Sequence, residues 1–461
     1  VLLAGCSTLG RTAYERPEVA VPERWEAASS AAASLPAAAT TGLAASDDGS
    51  SRRGVGSDTA WWRDFSDAEL NGLVDLALER NNDLLGADLR MRRAQLQAAL
   101  ASNALNPSPG ASTQGTWSRS LDAAGAVRRG QSSSLSISYE LDIWNRLGSQ
   151  RDAAQWAAEA SAFDRQAARL AVAASVVEHY WRAGFLNQRI ATMQASVDTA
   201  RRTLAIVQAR RGEGAVSGLE PKEAQQSLQA LESSLLALRQ QQYENRNALA
   251  ILFDQPPQES MAEPSALPDA ALPDIAAGLP AQLLARRPDV AAGEARLRAA
   301  LADVDSTRTS FYPSISLTGS VGTSSDALFR FLQNPIASLG AGIVLPFLKW
   351  QDMKASVRIS ETDYEIAVTD FRQALYVAMA EVENALSARR NCIDQAALLR
   401  RSLQLAVEAE AIYEIRYREG AVALNLWLDA QEKRRGAELA LSENMLNRLL
   451  AQAAAYRALG G

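Results

Sequence analysis

Two hydrophobic periods take turns along this chain. Between 132 and 142, Leu135, Ile137, Tyr139 and Leu141 alternate with Ser134, Ser136, Ser138 and Glu140, the period of two that a strand with one wet face requires. The same alternation predicts strands at about 314–323 and 337–346, and a further strand candidate lies at about 111–120; in the third of the four, Ser314, Ser316, Thr318 and Ser320 interleave with Ile315, Leu317 and Val321. After each strand pair the period changes to that of a helix. Residues 146–210 contain no proline, and Ile190, Met193, Val197, Ala200, Leu204 and Val207 recur at spacings of three and four, a coiled-coil seam. The run turns at Arg211-Gly212-Glu213-Gly214 and returns through Leu228, Leu231, Leu235, Leu238, Gln242, Asn245, Leu249 and Leu252.

At 1.5 Å per residue the outward run of about 65 residues makes a rod near 100 Å, whereas the return helix of about 36 residues reaches roughly 54 Å. Another helix must cover the rest of the rod. Leu70, Leu73, Val74, Ala77 and Leu78 predict an amphipathic helix, and a second runs from Asp83 to about Leu105, ending at Asn106-Pro107. The stretch from about 72 to 105, treated as one piece of roughly 50 Å, supplies the missing length if laid end to end with the return helix.

The second half repeats this plan. Asp83 and Asp289, Pro107 and Pro313, Trp144 and Trp350, Gly214 and Gly420, and Gln225 and Gln431 are each 206 residues apart, so the chain is a duplication. The repeat predicts a helix at 289–310, started by Pro288 and Asp289, a long helix at 349–417, a turn at Arg418-Glu419-Gly420-Ala421 and a return helix from about 424 to 459. Six prolines, at 256, 257, 264, 268, 273 and 280, make 254–280 an irregular equatorial connector. The expected organisation is 61–253 for the first repeat and 281–461 for the second, preceded by a signal-peptide remnant at 1–5 and a lipid-anchored segment with an Ala/Ser-rich linker at 6–60.

Composition narrows the chemistry. A net charge of −6 excludes the basic face that a nucleic-acid partner needs. With Cys6, Cys392 and His179 as the whole Cys/His inventory, no disulfide framework or Cys/His metal cluster can be built, and no cofactor is expected. The opening Leu3-Ala4-Gly5-Cys6 resembles the lipobox of a bacterial lipoprotein, with Cys6 as the lipid-carrying residue; the alternative is an ordinary signal peptide with a chance cysteine. Ser7 behind it resembles lipoproteins sorted to the outer membrane. Two or more acyl chains anchor stably where one is marginal. Cys392 reads as a buried thiol in a helix, and His179 as a packed or tunnel-facing helix residue rather than a ligand. Gly212, Gly214 and Gly218 fit a helix-hairpin turn and lack the strand and Lys-Ser/Thr pair of a phosphate loop. No clustered acid/base or metal constellation suggests an enzyme.

No apolar run reaches the roughly 18 residues of a membrane-spanning helix, so any crossing uses strands. Ten residues at about 3.4 Å rise, tilted near 45°, span roughly 24 Å, the height of a barrel's apolar band. Four strands cannot close a barrel. Three chains giving twelve strands leave room for a passage, and the count alone also allows two chains or four.

WWRDFSD at 61–67, YELDIWNRLG at 139–148, RRPDVAAGEARLRAALADV at 286–304, FYPSISLTGSVG at 311–322 and LNLWLDAQ at 424–431 together resemble the TolC-like outer-membrane efflux factors, in the lipoprotein branch serving resistance-nodulation-division pumps. The resemblance implies a mainly α fold with a small β part, built from a duplicated helix-strand-strand-long helix-helix unit. It implies a homotrimer whose twelve-strand transmembrane β-barrel in the outer-membrane lipid is continued by a twelve-helix coiled-coil periplasmic tunnel. It also implies passive export of small toxic compounds from an inner-membrane pump through a periplasmic adaptor protein. Arg211, Gly212, Gly214, Gly420 and Ala421 are then adaptor-contact candidates at the helix tips. Asn425, Asp429 and Glu432 would line a periplasmic constriction, with Asp429 matching the family's acid, or else a solvated tip carboxylate. Where relatives carry a leucine and an arginine, this chain has Asn425 and Glu432, which implies a more acidic constriction. A protein-secretion component of the same fold and a lipid-anchored coiled-coil scaffold without a pore are the competing expectations.

Overall fold

The computed structural model describes residues 10–22, 24–26, 60–121, 127–257, 261–269, 272–275, 280, 286–325 and 335–461. Cys6 with its lipobox and nearly all of the predicted linker lie outside these residues, as does part of the connector. In chain order the elements are α1 (Ala68–Arg80), α2 (Asn82–Asn103), β1 (Ser108–Arg119), β2 (Val127–Leu141), α3 (Arg146–Gly212), α4 (Leu219–Ile251), α5 (Pro288–Thr309), β3 (Ser314–Ser325), β4 (Pro335–Val344), α6 (Trp350–Arg418) and α7 (Leu424–Leu459). The chain divides into two units. The first gathers the described residues of Val1–Val19 with Asp88–Asp164 and Asp289–Ala374; the second holds those of Ala20–Ala87, Arg165–Pro288 and Leu375–Gly461.

In the first unit the strands form one antiparallel sheet in the order β1-β2-β3-β4. The two halves of the duplication thus meet side by side at the β2–β3 pair. Register lines Ala111, Leu135, Val321 and Ala337 into one row, and Pro109, Ile137, Gly319 and Leu339 into another, so one face is apolar across all four strands. The opposite face carries Ser112, Ser134, Gly322 and Ile336 in one row and Gly110, Ser136, Ser320 and Ser338 in the next, small and hydroxylated except at Ile336. Leu135, Ile137, Val321 and Leu339 are exposed, Leu339 at 94%. β2 begins earlier than predicted, at Val127, because its pairing with β1 continues from Gln131↔Gly115 to Val127↔Arg119 through a polar stretch that carries no apolar alternation; β1 also begins earlier, at Ser108 opposite Ser138.

Where β2 hands over to α3, Asp142 accepts the amides of Leu147 (3.0 Å) and Gly148 (2.7 Å), satisfying donors that a helix start leaves unpaired. Beside it, the Trp144 indole N–H donates to the Pro313 carbonyl at 2.9 Å and its ring meets Tyr312 edge-on at 5.4 Å. That bond joins the strand-to-helix crossing of one repeat to the helix-to-strand crossing of the other. The N-terminal strap, residues 10–19, is fastened to the same unit. Thr12 donates its amide (2.7 Å) and its hydroxyl (2.6 Å) to Asp305, Arg11 pairs with Asp152, and the Arg298 guanidinium lies over the Tyr14 ring at 4.5 Å and the Trp156 ring at 4.7 Å. Asp152 and Asp305 are buried.

The second unit has a continuous core. Trp61, Trp62, Leu70, Val74 and Ala77 pack with Val172, Val176, Val177, Tyr180 and Trp181 of α3, with Leu249 of α4 and Phe253 just after it, and with Leu449 and Tyr456 of α7. Asp67 caps α1 by accepting the amides of Glu69 and Leu70, both at 2.9 Å, while its other oxygen accepts the Tyr180 hydroxyl at 2.9 Å.

The expectation of one helical piece over about 72–105 needs correcting, because the chain breaks at Asn81. This residue is extended, its Oδ1 accepts the amides of Asp83 (3.0 Å) and Leu84 (3.1 Å), and its Nδ2 donates to the Leu252 carbonyl at 3.0 Å. An Asn side chain can satisfy both helix ends at once, and here the cap of α2 also holds the end of α4. Asn81 thus joins the start of α2 to the end of α4. In the second repeat Arg287 donates to the Ala458 carbonyl at 3.2 Å. Donor and acceptor are each 206 residues beyond Asn81 and Leu252. Cys392 is half-buried rather than buried, its thiol pKa raised chiefly by that burial.

Asp67→Ala removes both the cap and the partner of Tyr180, and is expected to lower stability by about 1–3 kcal/mol. Asp67→Asn, which can still cap, should lose less. Urea midpoints of the detergent-solubilised proteins check the order.

Candidate functional site

The two turns at the ends of the long helices are built alike. After α3, the Ala215 amide donates to the Arg210 carbonyl (2.9 Å) and the Gly214 amide to the Arg211 carbonyl (3.0 Å). After α6, the Ala421 amide donates to Arg416 (2.8 Å) and the Gly420 amide to Tyr417 (2.9 Å). Each is the paired closure of a Schellman motif, which places one residue in the left-handed region. Gly214 at φ +73° and Gly420 at φ +76° fill that position, where a Cβ would be strained. Arg211, Gly212, Gly214, Gly420 and Ala421 are all exposed.

The structure brings the two turns together through residues that the hydrophobic pattern does not single out. Arg210 donates to the Tyr417 carbonyl at 2.7 Å and lies over the Tyr417 ring at 4.8 Å; the Tyr417 hydroxyl donates to Glu220 at 2.8 Å; and Tyr417 stacks on Trp427 at 5.3 Å. Val207, Ala224, Leu424 and Trp427 are buried around them. Burial first, and then the hydrogen bond to Glu220, push the Tyr417 hydroxyl up to about 12, so it stays a donor at any ordinary pH. One signal could have found this cluster: Arg210 and Tyr417 each precede a turn glycine. Their contact, however, crosses between hairpins, and no helical period reports that.

Asn425, Asp429 and Glu432 sit at spacings of four and three, one face of the first two turns of α7. All three are exposed, while Leu424 just before them and Trp427, Ala430 and Gln431 between them are buried. They differ in freedom. Glu432 pairs with Arg435 at 2.6 Å, and Arg435 is only 14% exposed, so this carboxylate is partly neutralised in place. Asn425 accepts the Leu426 amide at 2.9 Å.

Elsewhere, His179 donates through Nδ1–H to the Asn245 Oδ1 at 2.8 Å, and the Asn245 Nδ2 donates to the His179 carbonyl at 3.0 Å. It is the packed residue expected, in a side-chain clasp between α3 and α4. Among the described residues no group of His, Cys, Asp and Glu is placed to hold a metal ion, and no helix is long and apolar enough to cross a membrane. The sheet, with its apolar and hydroxylated faces, is the remaining candidate for a membrane element.

Comparison with known proteins agrees with this geometry. The family model described as "Outer membrane efflux protein" matches residues 73–253 and 279–461. The pyoverdine export outer membrane protein OpmQ of Pseudomonas putida is 33% identical over 414 residues, 88% of each chain. Outer membrane protein OprJ of Pseudomonas aeruginosa is 30% identical over 100% of this chain and 94% of its own. Among solved structures, the outer-membrane channel OprN superposes with a TM-score of 0.83 at 25% identity, covering 98% of both chains. The open state of the Neisseria gonorrhoeae MtrE outer membrane channel gives 0.80 at 27%, again over 98% of both. The fold is accordingly the mainly helical, duplicated unit of trimeric channels in which a strand barrel is joined to a helical tunnel. The family is one of channels, and its place is the outer membrane. Matched across most of its length by that model and by relatives at this identity, the chain belongs to the outer membrane efflux protein family.

Proposed function

We propose that three copies of this chain form the exit duct of a tripartite pump. Small toxic compounds or drugs pass through it passively from an inner-membrane resistance-nodulation-division pump and a periplasmic adaptor, and the protein itself carries out no catalytic step. The observation that carries this reading is the sheet, which has one apolar face, one face made mainly of Ser, Thr and Gly, and two open edges, β1 and β4. Open edges are too costly in lipid, so neighbouring copies must close them.

The duplication says how. Trp350, the counterpart of Trp144, is 54% exposed. Pro107 is the counterpart of Pro313. Repeating the β2–β3 register between copies sets β4 antiparallel to β1 of the partner subunit, with Leu339 opposite Trp117 of the partner subunit, and the Trp350 indole on the carbonyl of Pro107 of the partner subunit. Leu339 and Trp117 are among the most exposed apolar side chains of the strands.

At the helix tips, Arg211, Gly212, Gly214, Gly420 and Ala421 present an exposed surface for the adaptor. Asp429 supplies the charge of the constriction, with Asn425 a polar lining residue and Glu432 a weaker contributor because of Arg435. Three carboxylates around an axis repel one another and attract cations. Cys6 is the lipidation site that anchors each copy.

Four outcomes check these statements. In planar bilayers the purified protein is expected to conduct, and complete silence, also after Asp429→Asn, would sink the duct. Asp429→Asn should lower the cation-over-anion permeability ratio several-fold, more than Glu432→Gln does; the reverse order would remove Asp429 from the constriction. Leu339→Cys combined with Trp117→Cys, in a Cys392→Ser background, should give oxidised dimers and trimers on non-reducing gels, whereas monomers alone would refute the register. Cys6→Ser should remove the acyl mass from the intact protein isolated from membranes.

A further inference from the structure

Charge on the four strands is confined to two places. Among their described residues the charged side chains are Arg119, Arg128, Arg129 and Glu140. Glu140 lies at the helix-bearing end and is held by Arg146 at 2.7 Å and 2.8 Å. The three arginines lie together at the other end, where β1 and β2 pair Trp117 with Arg129, Ser118 with Arg128 and Arg119 with Val127. All three are exposed. The helices all join the strands at the Glu140 end, so with periplasmic helices the arginine end is the outer one.

Alternation sorts the three arginines between the faces. On β2 the positions of Leu135, Ile137, Tyr139 and Leu141 are the apolar ones, and Arg129 falls on their side. Through the register Trp117 and Arg119 fall there too, while Arg128 shares the other face with Ser118, Ser134 and Ser136. In a membrane barrel the apolar face looks to lipid and the polar face to the lumen. Two arginines and a 66%-exposed tryptophan therefore face outward, and one arginine faces inward.

Their height is informative. Six residues separate Arg129 from Leu135, the last apolar row. At about 3.4 Å per residue and a tilt near 45°, that is roughly 14 Å towards the outside. Between them lie the Thr113/Ser133 row, hydrogen-bonded at 2.9 Å, and the Gly115/Gln131 row, both polar. The outward arginines thus stand just beyond the acyl chains, at headgroup level, where a tryptophan ring is also at home.

We propose that Arg119 and Arg129, with Trp117 beside them, bind the phosphate groups of anionic glycolipids in the outer leaflet. A guanidinium offers two parallel donors that match phosphate oxygens, and basic side chains at this depth select anionic headgroups. Arg128, on the lumenal face, takes no part. The proposal rests on the barrel reading above, so trimer formation and outer-membrane insertion are scored separately from lipid binding.

Native mass spectrometry of the full-length trimer in detergent tests it, using purified bisphosphorylated lipid A as the probe, with monophosphoryl lipid A, phosphatidylethanolamine and inorganic phosphate as comparisons. Bisphosphorylated lipid A should bind at up to three molecules per trimer and more tightly than the monophosphoryl form. The double variant Arg119→Gln/Arg129→Gln should weaken it at least tenfold while forming trimers normally, and Arg128→Gln should stay within twofold of the unaltered protein. Equal binding by the double variant, an equal loss in Arg128→Gln, equal binding of phosphatidylethanolamine, or full competition by millimolar inorganic phosphate would each overturn the proposal. A variant that no longer forms inserted trimers would count against the barrel reading instead; Arg119→Lys/Arg129→Lys, keeping charge but losing the paired donors, then supplies the lipid-binding comparison, with an intermediate affinity expected and an unchanged one overturning the role of the guanidinium.

Discussion

A backbone amide without a partner cannot face hydrocarbon, and a four-stranded sheet has two rows of such groups. Most of this protein's architecture answers that constraint. The duplication gives every chain the same crossing between helix and strand twice, so each chain presents a β4 edge that resembles its own β2 and a β1 edge that resembles its own β3. The internal pairing of β2 with β3 is thereby a template for pairing between copies. Trp144 on the Pro313 carbonyl fixes the template at its lower end.

Away from the sheet, stability comes from different sources. The second unit relies on aromatic and aliphatic packing around Trp61, Trp62, Tyr180 and Trp181, with Asp67 and Asn81 each serving two structural elements at once. Arg287 takes the place of Asn81 in the later repeat and reaches the equivalent carbonyl with a longer side chain. The position kept its task while the chemistry changed, as expected when a helix end must be satisfied and several side chains can do it.

Much of this was legible in the residues. Period two in Leu135, Ile137 and Tyr139 identified a strand, the proline-free run after Arg146 identified the long helix, and the glycines at 214 and 420 marked turns whose left-handed φ the structure shows. Less was legible where contacts depend on distant pairing. The outer part of β2, from Val127 to Gln131, carries no alternation and is strand because β1 supplies its hydrogen bonds. The Arg210–Tyr417–Glu220 link joins residues in separate hairpins, and the Glu432–Arg435 pair tempers an acid that composition alone would count at full charge. The partial exposure of Cys392 is illegible for a related reason: a helical period says which residues share a face, not how deeply a neighbour covers it.

The N-terminal strap has a consequence of symmetry. It is held by Asp152 and Asp305, and 206 residues away from these stand Arg358 and Ala99, which offer Thr12 and Arg11 no carboxylate. The two repeats are near-equivalent within the chain, yet the two buried carboxylates that fasten Thr12 and Arg11 occur in only one of the two corresponding places. A trimer built from six similar repeats therefore shows its surroundings two alternating kinds of flank, three laced and three bare, and a neighbour that settles against one kind can do so in threefold but not sixfold fashion.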